Sequence, residues 1–177
     1  MEYVIEKYGI YLKYVEETDA DFILKLRTNK NKSKFINPTS DDIQLQKEWI
    51  KNYKKREKAE LEYYFIAFDK NNEPFATYRL YNRTKKTIEI GSFITKENYL
   101  NPISAIKLDI VMKEFAFETL NYDKLNFEVR KMNFSVVKYH KEYEPNLYKE
   151  DELNYYFIQK REKFNLHKGK FKKLFKR

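Results

Sequence analysis

"TIEIGSFITKENYLNPISAIKLDIVMKEFAFETLNYDKLNFEVR", residues 87–130, decides the fold. Its first nine residues alternate like a strand (87–95), a polar loop follows, residues 103–120 form a strongly apolar helical stretch, and "KLNFEVR" (124–130) returns to strand alternation. A strand, a helix and a second strand in this order make a crossover that lays the two strands parallel in one sheet.

Upstream, "YYFIAFD" (63–69), a "KNNEP" turn and "FATYRLYN" (75–82) read as a hairpin, so three antiparallel strands precede the crossover helix. Before them, "GIYLKYV" (9–15) is a first strand and Thr18 opens a helix reaching about Asn29. A polar loop (29–40) leads to a second helix, capped by Ser40 or Asp41, that carries Ile43, Leu45, Trp49, Ile50 and Tyr53. Downstream, Asn133 starts a short helix, a brief strand is expected near Asn146 to Tyr148, and "ELNYYFIQ" (152–159) is the last strand. The expected order is β-α-α-β-β-β-α-β-α-β. That is an α/β (α+β) domain with a mixed, mostly antiparallel central sheet flanked by helices. No repeat or linker divides it, and the expected organisation is one domain over 1–159 followed by a basic tail, 160–177.

The 177 residues, 42% apolar, suffice for one well-buried core. Sixteen Tyr and 14 Phe suit a pleated, packed surface. The absence of Cys excludes disulfides, thiol catalysis and Cys-based metal centres, and with two His no all-histidine metal site is expected. The opening "MEYVIEKYGIYLKYVEE" has acids and no apolar core, and no 18-residue apolar run occurs, so a cytoplasmic protein is expected. The net charge of +9 is unevenly placed: residues 160–177 hold nine cations against Glu162, a net +8, which leaves +1 for residues 1–159.

In "EVRKMNFSVVKYHKEYE" (128–144), Asn133 sits where strand turns to helix and His140 lies two turns further on. Val129, Asn133, Val136 and His140 are spaced like the hydrophobic-x-x-x-Asn-x-x-small-x-x-x-Tyr stretch of the GNAT superfamily of acetyl-CoA-dependent N-acetyltransferases, with His140 in the tyrosine's place. With the element order over about residues 9–159, the chain resembles that superfamily, and within it the sugar-nucleotide and ribosomal-protein branches. The resemblance implies a splayed central strand and acetyl-CoA as cosubstrate, with no metal. Asn133 would bond the pantetheine arm and His140 would protonate the departing thiolate near neutral pH.

The same resemblance gives Phe93, Ile94 and Thr95 backbone contacts to pantetheine. It sets the diphosphate at the start of the next helix, along Asn101, Ile103, Ser104, Ala105 and Ile106, with Lys96 or Lys107 nearby. The family's Gln/Arg-x-x-Gly-x-Gly/Ala is missing; the corresponding stretch reads "NYLNPISA" (98–105). Glu89 matches an acid that many members use on the amine, provided it points away from Ile88 and Ile90. Asn37, Thr39, Arg79 and Tyr81 are the expected acceptor contacts, and "KKREKAELE" (54–62) reads as a solvated helix end and turn.

The expected partner is a small-molecule amine, an amino sugar (nucleotide-linked) for surface glycan ahead of a protein N-terminus, handled by a monomer or homodimer. "KFNLHKGKFKKLFKR" (163–177) has the composition of a peripheral membrane or polyanion contact. The rival classes are a nucleic-acid-binding module and a CoA-binding scaffold without catalysis, and no specific nucleic acid is expected because the aromatics lie inside predicted elements.

Overall fold

The computed structural model describes residues 2–97, 99 and 101–176. Among these residues eight strands form one sheet: β1 (Ile5–Lys7), β2 (Ile10–Tyr14), β3 (Tyr63–Phe68), β4 (Pro74–Tyr81), β5 (Thr87–Thr95), β6 (Lys124–Arg130), β7 (Asn146–Glu150) and β8 (Asn154–Lys160). Their order across the sheet is β1-β2-β3-β4-β5-β6-β8-β7. Every neighbouring pair is antiparallel except β5 and β6, which the crossover makes parallel. The mixed, mostly antiparallel sheet read from the sequence is therefore present.

Among the described residues five α-helices cover the two faces: α1 (Ala20–Thr28), α2 (Ile43–Lys58), α3 (Pro102–Glu114), α4 (Phe134–Lys141) and α5 (Arg161–Lys172). The period-2 alternation of β3 sorts its side chains between two cores. Tyr64, Ile66 and Phe68 meet Ile23 of α1 and Ile50 and Tyr53 of α2. Tyr63, Phe65 and Ala67 belong to the larger cluster with Leu108 and Val111 of α3. Central β3 is consequently buried at all six positions. Asp42, rather than Ser40 or Asp41, caps α2; its carboxylate accepts from the backbone N–H groups of Gln44 (2.8 Å) and Leu45 (3.2 Å). Glu62 also departs from the solvated-turn reading: it is 3% exposed and binds Arg56 (2.6 Å) and Arg79.

The basic C-terminal stretch folds onto the sheet as α5 and a short 3₁₀ turn (Lys173–Lys176). Phe164 is fully buried against Phe117 and Tyr143, a contact on the order of 2–3 kcal/mol by area removed from water. Phe171 stacks on Tyr143 and Phe175 packs against Tyr8, so these rings are not presented outward. Opposite them, the carboxylate of Glu114 is 2% exposed and receives Lys7 of β1 (2.6 Å) and Lys168 (3.2 Å) and Lys172 (2.7 Å) of α5.

Burial by itself pushes the Glu114 carboxyl up, but hydrogen bonds from Lys172, Lys7 and Lys168 outweigh it and hold the group at about 2. A carboxyl depressed on folding contributes stability above its unfolded pKa and loses it as pH falls through the folded value. Glu114→Gln is therefore expected to cost on the order of 2 kcal/mol at pH 7, allowing for solvent screening of the lysines. Urea unfolding should show that gap closing between pH 5 and pH 2; a gap that does not change with pH would contradict the assignment.

Candidate active site

β5 and β6 pair at only three positions, Thr87 with Lys124, Ile88 with Leu125 and Glu89 with Asn126. Beyond Glu89 the strands part, although each still bonds its outer neighbour, β4 on one side and β8 on the other. A β-bulge contributes: the register with β4 shifts between Thr77 and Arg79, and Ser92 takes φ +49°. The parting leaves backbone donors and acceptors of residues 90–95 and 127–130 facing one another across a wedge.

A cavity of about 220 Å³ opens there, lined among others by Tyr81, Phe93, Glu128, Asn133 and His140. Asn133 is the residue before α4, yet its side chain makes no capping bond to the helix. Its Oδ1 instead accepts from the Ser135 hydroxyl (3.4 Å), and the residue lines the cavity. Of the three pantetheine candidates Phe93 lines the wedge, stacked on Tyr78 (4.6 Å), while Ile94 is buried and Thr95 pairs with Ala76.

His140 is 8% exposed and lies against Phe127, ring centroids 4.5 Å apart. Its Nδ1 is 3.3 Å from the ammonium of Lys113. Burial and the Lys113 charge drive the imidazole pKa down to about 3, with Asp109 opposing them. The environment thus favours the neutral ring at physiological pH. The neutral ring keeps one N–H to donate.

The four expected acceptor residues line two adjoining cavities. Asn37 and Tyr81 border the first; Thr39 and Arg79 border a second of about 240 Å³, and Arg27 and Ser92 are common to both. Arg27 organises the loop between α1 and α2, donating to the Thr39 hydroxyl (2.6 Å) and the Asn37 carbonyl (3.2 Å). Arg79 is held by Glu62 and lies over Trp49 (4.9 Å).

Ile88 and Ile90 are buried in the α3-side core, so Glu89 points to the other face. There its carboxylate accepts from Tyr81 Oη (2.8 Å) and Asn82 Nδ2 (2.9 Å). Glu89 stands behind Tyr81; the carboxylate lining the cavity itself is Glu128 of β6, which the sequence reading passed over. Its pKa is raised by burial of the carboxyl and by nearby Glu89, against the pull of Arg130. The only sequence sign of Glu128 is its outward position four residues after Lys124 on a strand entering the site.

Pro102 occupies the first turn of α3 and Asn101 precedes it. Asn101, Ile103, Ser104 and Lys107 line a large cavity of about 1010 Å³ together with Lys96, Tyr99, Leu174 and Phe175. Ala105 and Ile106 do not line it, and Ile106 packs on the core. Asn98 and Leu100 of the "NYLNPISA" stretch lie outside the described residues. Among the described residues no cluster of His, Asp or Glu suited to a metal ion occurs, and no helix is long and apolar enough to cross a membrane.

A family model for an acetyltransferase (GNAT) domain matches residues 10–143. Among solved structures, apo FdhC, described as a nucleotide-linked sugar GNAT, is 35% identical; the match covers 94% of this chain and 95% of that one with a TM-score of 0.84. The Campylobacter jejuni N-acetyltransferase PseH in complex with acetyl coenzyme A is 23% identical over 86% and 99% of the two chains, TM-score 0.64. Spermidine N-acetyltransferase from Vibrio cholerae in complex with CoA and spermine is 17% identical over 90% and 99%, TM-score 0.76. The last two share the fold. No curated protein matches the chain in sequence.

Tyr81 keeps its seat because residue 91 has no side chain: a Cβ on Gly91 would lie 2.6 Å from Tyr81 Oη and 3.1 Å from Cε1. Gly91→Ala should therefore swing the ring off Glu89 and into the cavity, lowering turnover by about tenfold while stability changes by about 1 kcal/mol. Steady-state kinetics beside thermal melting checks this, and unchanged turnover would show that the Tyr81 position does not matter.

Proposed function

The chain belongs to the GNAT acetyltransferase family, and from that premise we propose that it acetylates the primary amine of a nucleotide-linked amino sugar destined for surface glycan. The observation that carries this reading is the charge of the cavity. Arg27, Lys32 and Arg130 line it, and among the described residues they bond only neutral groups: Arg27 the Thr39 hydroxyl and Asn37 carbonyl, Lys32 Thr95 Oγ1, Arg130 Asn37 Oδ1. One carboxylate, Glu128, faces them. An acceptor with an amine at one end and phosphates at the other matches that pattern. A polyamine would meet three cations here, so the substrate of the spermidine enzyme is not carried over with its fold. The FdhC description as a nucleotide-linked sugar GNAT supports the same choice.

The wedge suits acetyl-CoA, because the amides of a pantetheine arm can take up the bonds that β5 and β6 leave open. Bound acetyl-CoA supplies an activated acetyl thioester and a thiolate leaving group. Asn133, Phe93 and the neighbouring backbone hold the arm, and Asn101, Ser104 and Lys107 at the start of α3 lie on the diphosphate side. Glu128 takes a proton from the acceptor ammonium, and the upward direction of its pKa makes it a stronger base than an ordinary carboxylate. The freed amine forms the new N–C bond as the C–S bond breaks, and a second amine proton leaves with sulfur. His140, neutral, donates its N–H to the charge that develops.

The basic tail supports this reading over a polyanion or membrane role: Lys163, Lys168 and Lys170 pair with Glu144, Glu118 and Glu142, and Phe171 and Phe175 turn inward. The reading places the enzyme in the cytoplasm. Titration calorimetry of acetyl-CoA followed by an acceptor screen tests it. Nucleotide-linked amino sugars should exceed the free sugar, spermidine and peptide N-termini in kcat/KM, and preference for any of those would overturn it. Arg130→Gln should raise the KM of the nucleotide-linked acceptor about tenfold by loss of a charge-assisted contact, and Glu128→Gln should lower kcat on the order of a hundredfold.

A further inference from the structure

Lys113 is an unusual tenant for the buried face of a helix. It is 0% exposed, and its ammonium donates to Asp109 Oδ2 (2.8 Å) one turn earlier and faces His140 Nδ1 at 3.3 Å. The rings of Tyr143 (4.4 Å), Tyr139 (5.5 Å) and Phe127 (5.8 Å) surround its remaining side. Asp109 in turn accepts from Tyr78 Oη and Tyr139 Oη, both at 2.7 Å. A buried ion pair is seldom worth more than apolar residues of equal volume, so stability alone gives little reason for this one. Its placement beneath the cavity gives a better one.

An ammonium has three donors and no acceptor. Whatever stands 3.3 Å from it along a hydrogen bond must accept, which leaves Nδ1 of His140 bare and puts the ring proton on Nε2. The same charge opposes a second proton on the ring. We propose that Lys113 is a positioning residue that fixes His140 as the neutral Nε2–H tautomer, so that the cavity is offered one hydrogen-bond donor, unchanged across the working pH range. This rests on the reading of the cavity as the acetyl-transfer site. The groups that bear on the ring are Asp109 and Lys113 from α3, Tyr78 from β4 through Asp109, Phe127 from β6, Tyr139 from α4 and Tyr143 just after it; Glu128 and Arg130 border the same cavity. Without Lys113 the Asp109 carboxylate would be the charge nearest the ring and would favour a second proton, against burial.

The chain has two histidines, so His167→Gln leaves His140 alone for nitrogen NMR of the imidazole. The expected spectrum is a neutral ring with the proton on Nε2 and no titration between about pH 5 and 8. In Lys113→Met the proton should no longer be confined to Nε2 and the ring should titrate higher than in the native protein, and kcat should fall about tenfold and become pH-dependent, with acceptor KM within about twofold. Asp109→Asn/Lys113→Met removes both buried charges together; it should fold even where the single variant does not, and should lose the fixed tautomer. A proton on Nδ1 in the otherwise native protein overturns the proposal, as does an unchanged tautomer and kcat in the double variant. The spectra need neither acceptor nor turnover. A wrong acceptor assignment therefore leaves their result intact, and a wrong tautomer leaves the acceptor assignment intact.

Discussion

A parallel ladder that stops after three residue pairs is the constraint on which the site depends. Were β5 and β6 paired to their ends, the sheet would be closed and no cavity would exist between Phe93 and Asn133. The bulge at Ser92 and the bond-forming partners on the outer sides, β4 and β8, keep both strands ordered while their facing edges separate. α3, which connects the two strands, places Asp109 and Lys113 under the gap, and α4, which leaves the end of β6, lays His140 over them.

This arrangement uses low dielectric in two directions. Around His140 it disfavours charge on the ring. At Glu128, which is exposed near the mouth, partial burial and the neighbouring Glu89 shift the carboxyl pKa upward. Two titratable groups in one small cavity thus have their charged forms disfavoured, one by complete enclosure beside a cation and the other by partial enclosure beside another acid.

Much of the fold was legible because its pattern is local. The ranges 87–95 and 124–130 coincide with β5 and β6, and the crossover between them fixes the parallel pair. α5 was not legible: Phe164, Phe171 and Phe175 sit among lysines and Gly169, and their partners, Phe117, Tyr143 and Tyr8, come from distant parts of the chain. The three-residue β1 is too short to show alternation. In the site, spacing was enough to bring Asn133 and His140 to notice, and the hairpin placed Arg79 and Tyr81 on one face. The charge state of His140 could not be read, since it is set by a lysine 27 residues away whose burial no local pattern displays. Glu128 looked like any outward strand residue until the neighbouring strand parted from it.

The convergence of Lys7, Lys168 and Lys172 on Glu114 bears on how the molecule opens. A helix at the periphery of a sheet ordinarily frays with little penalty. Here, lifting α5 would strip two of three cations from a carboxylate that is 2% exposed and uncover Phe164 in the same motion. Excursions of α5 are therefore tied to excursions of the core, and the segment richest in lysine belongs to the cooperative unit rather than to its loose edge. In the middle of the sheet, by contrast, the N–H groups that β5 and β6 turn toward each other beyond Glu89 have no strand partner, so they would exchange without any opening, beside protected amides facing β4 and β8.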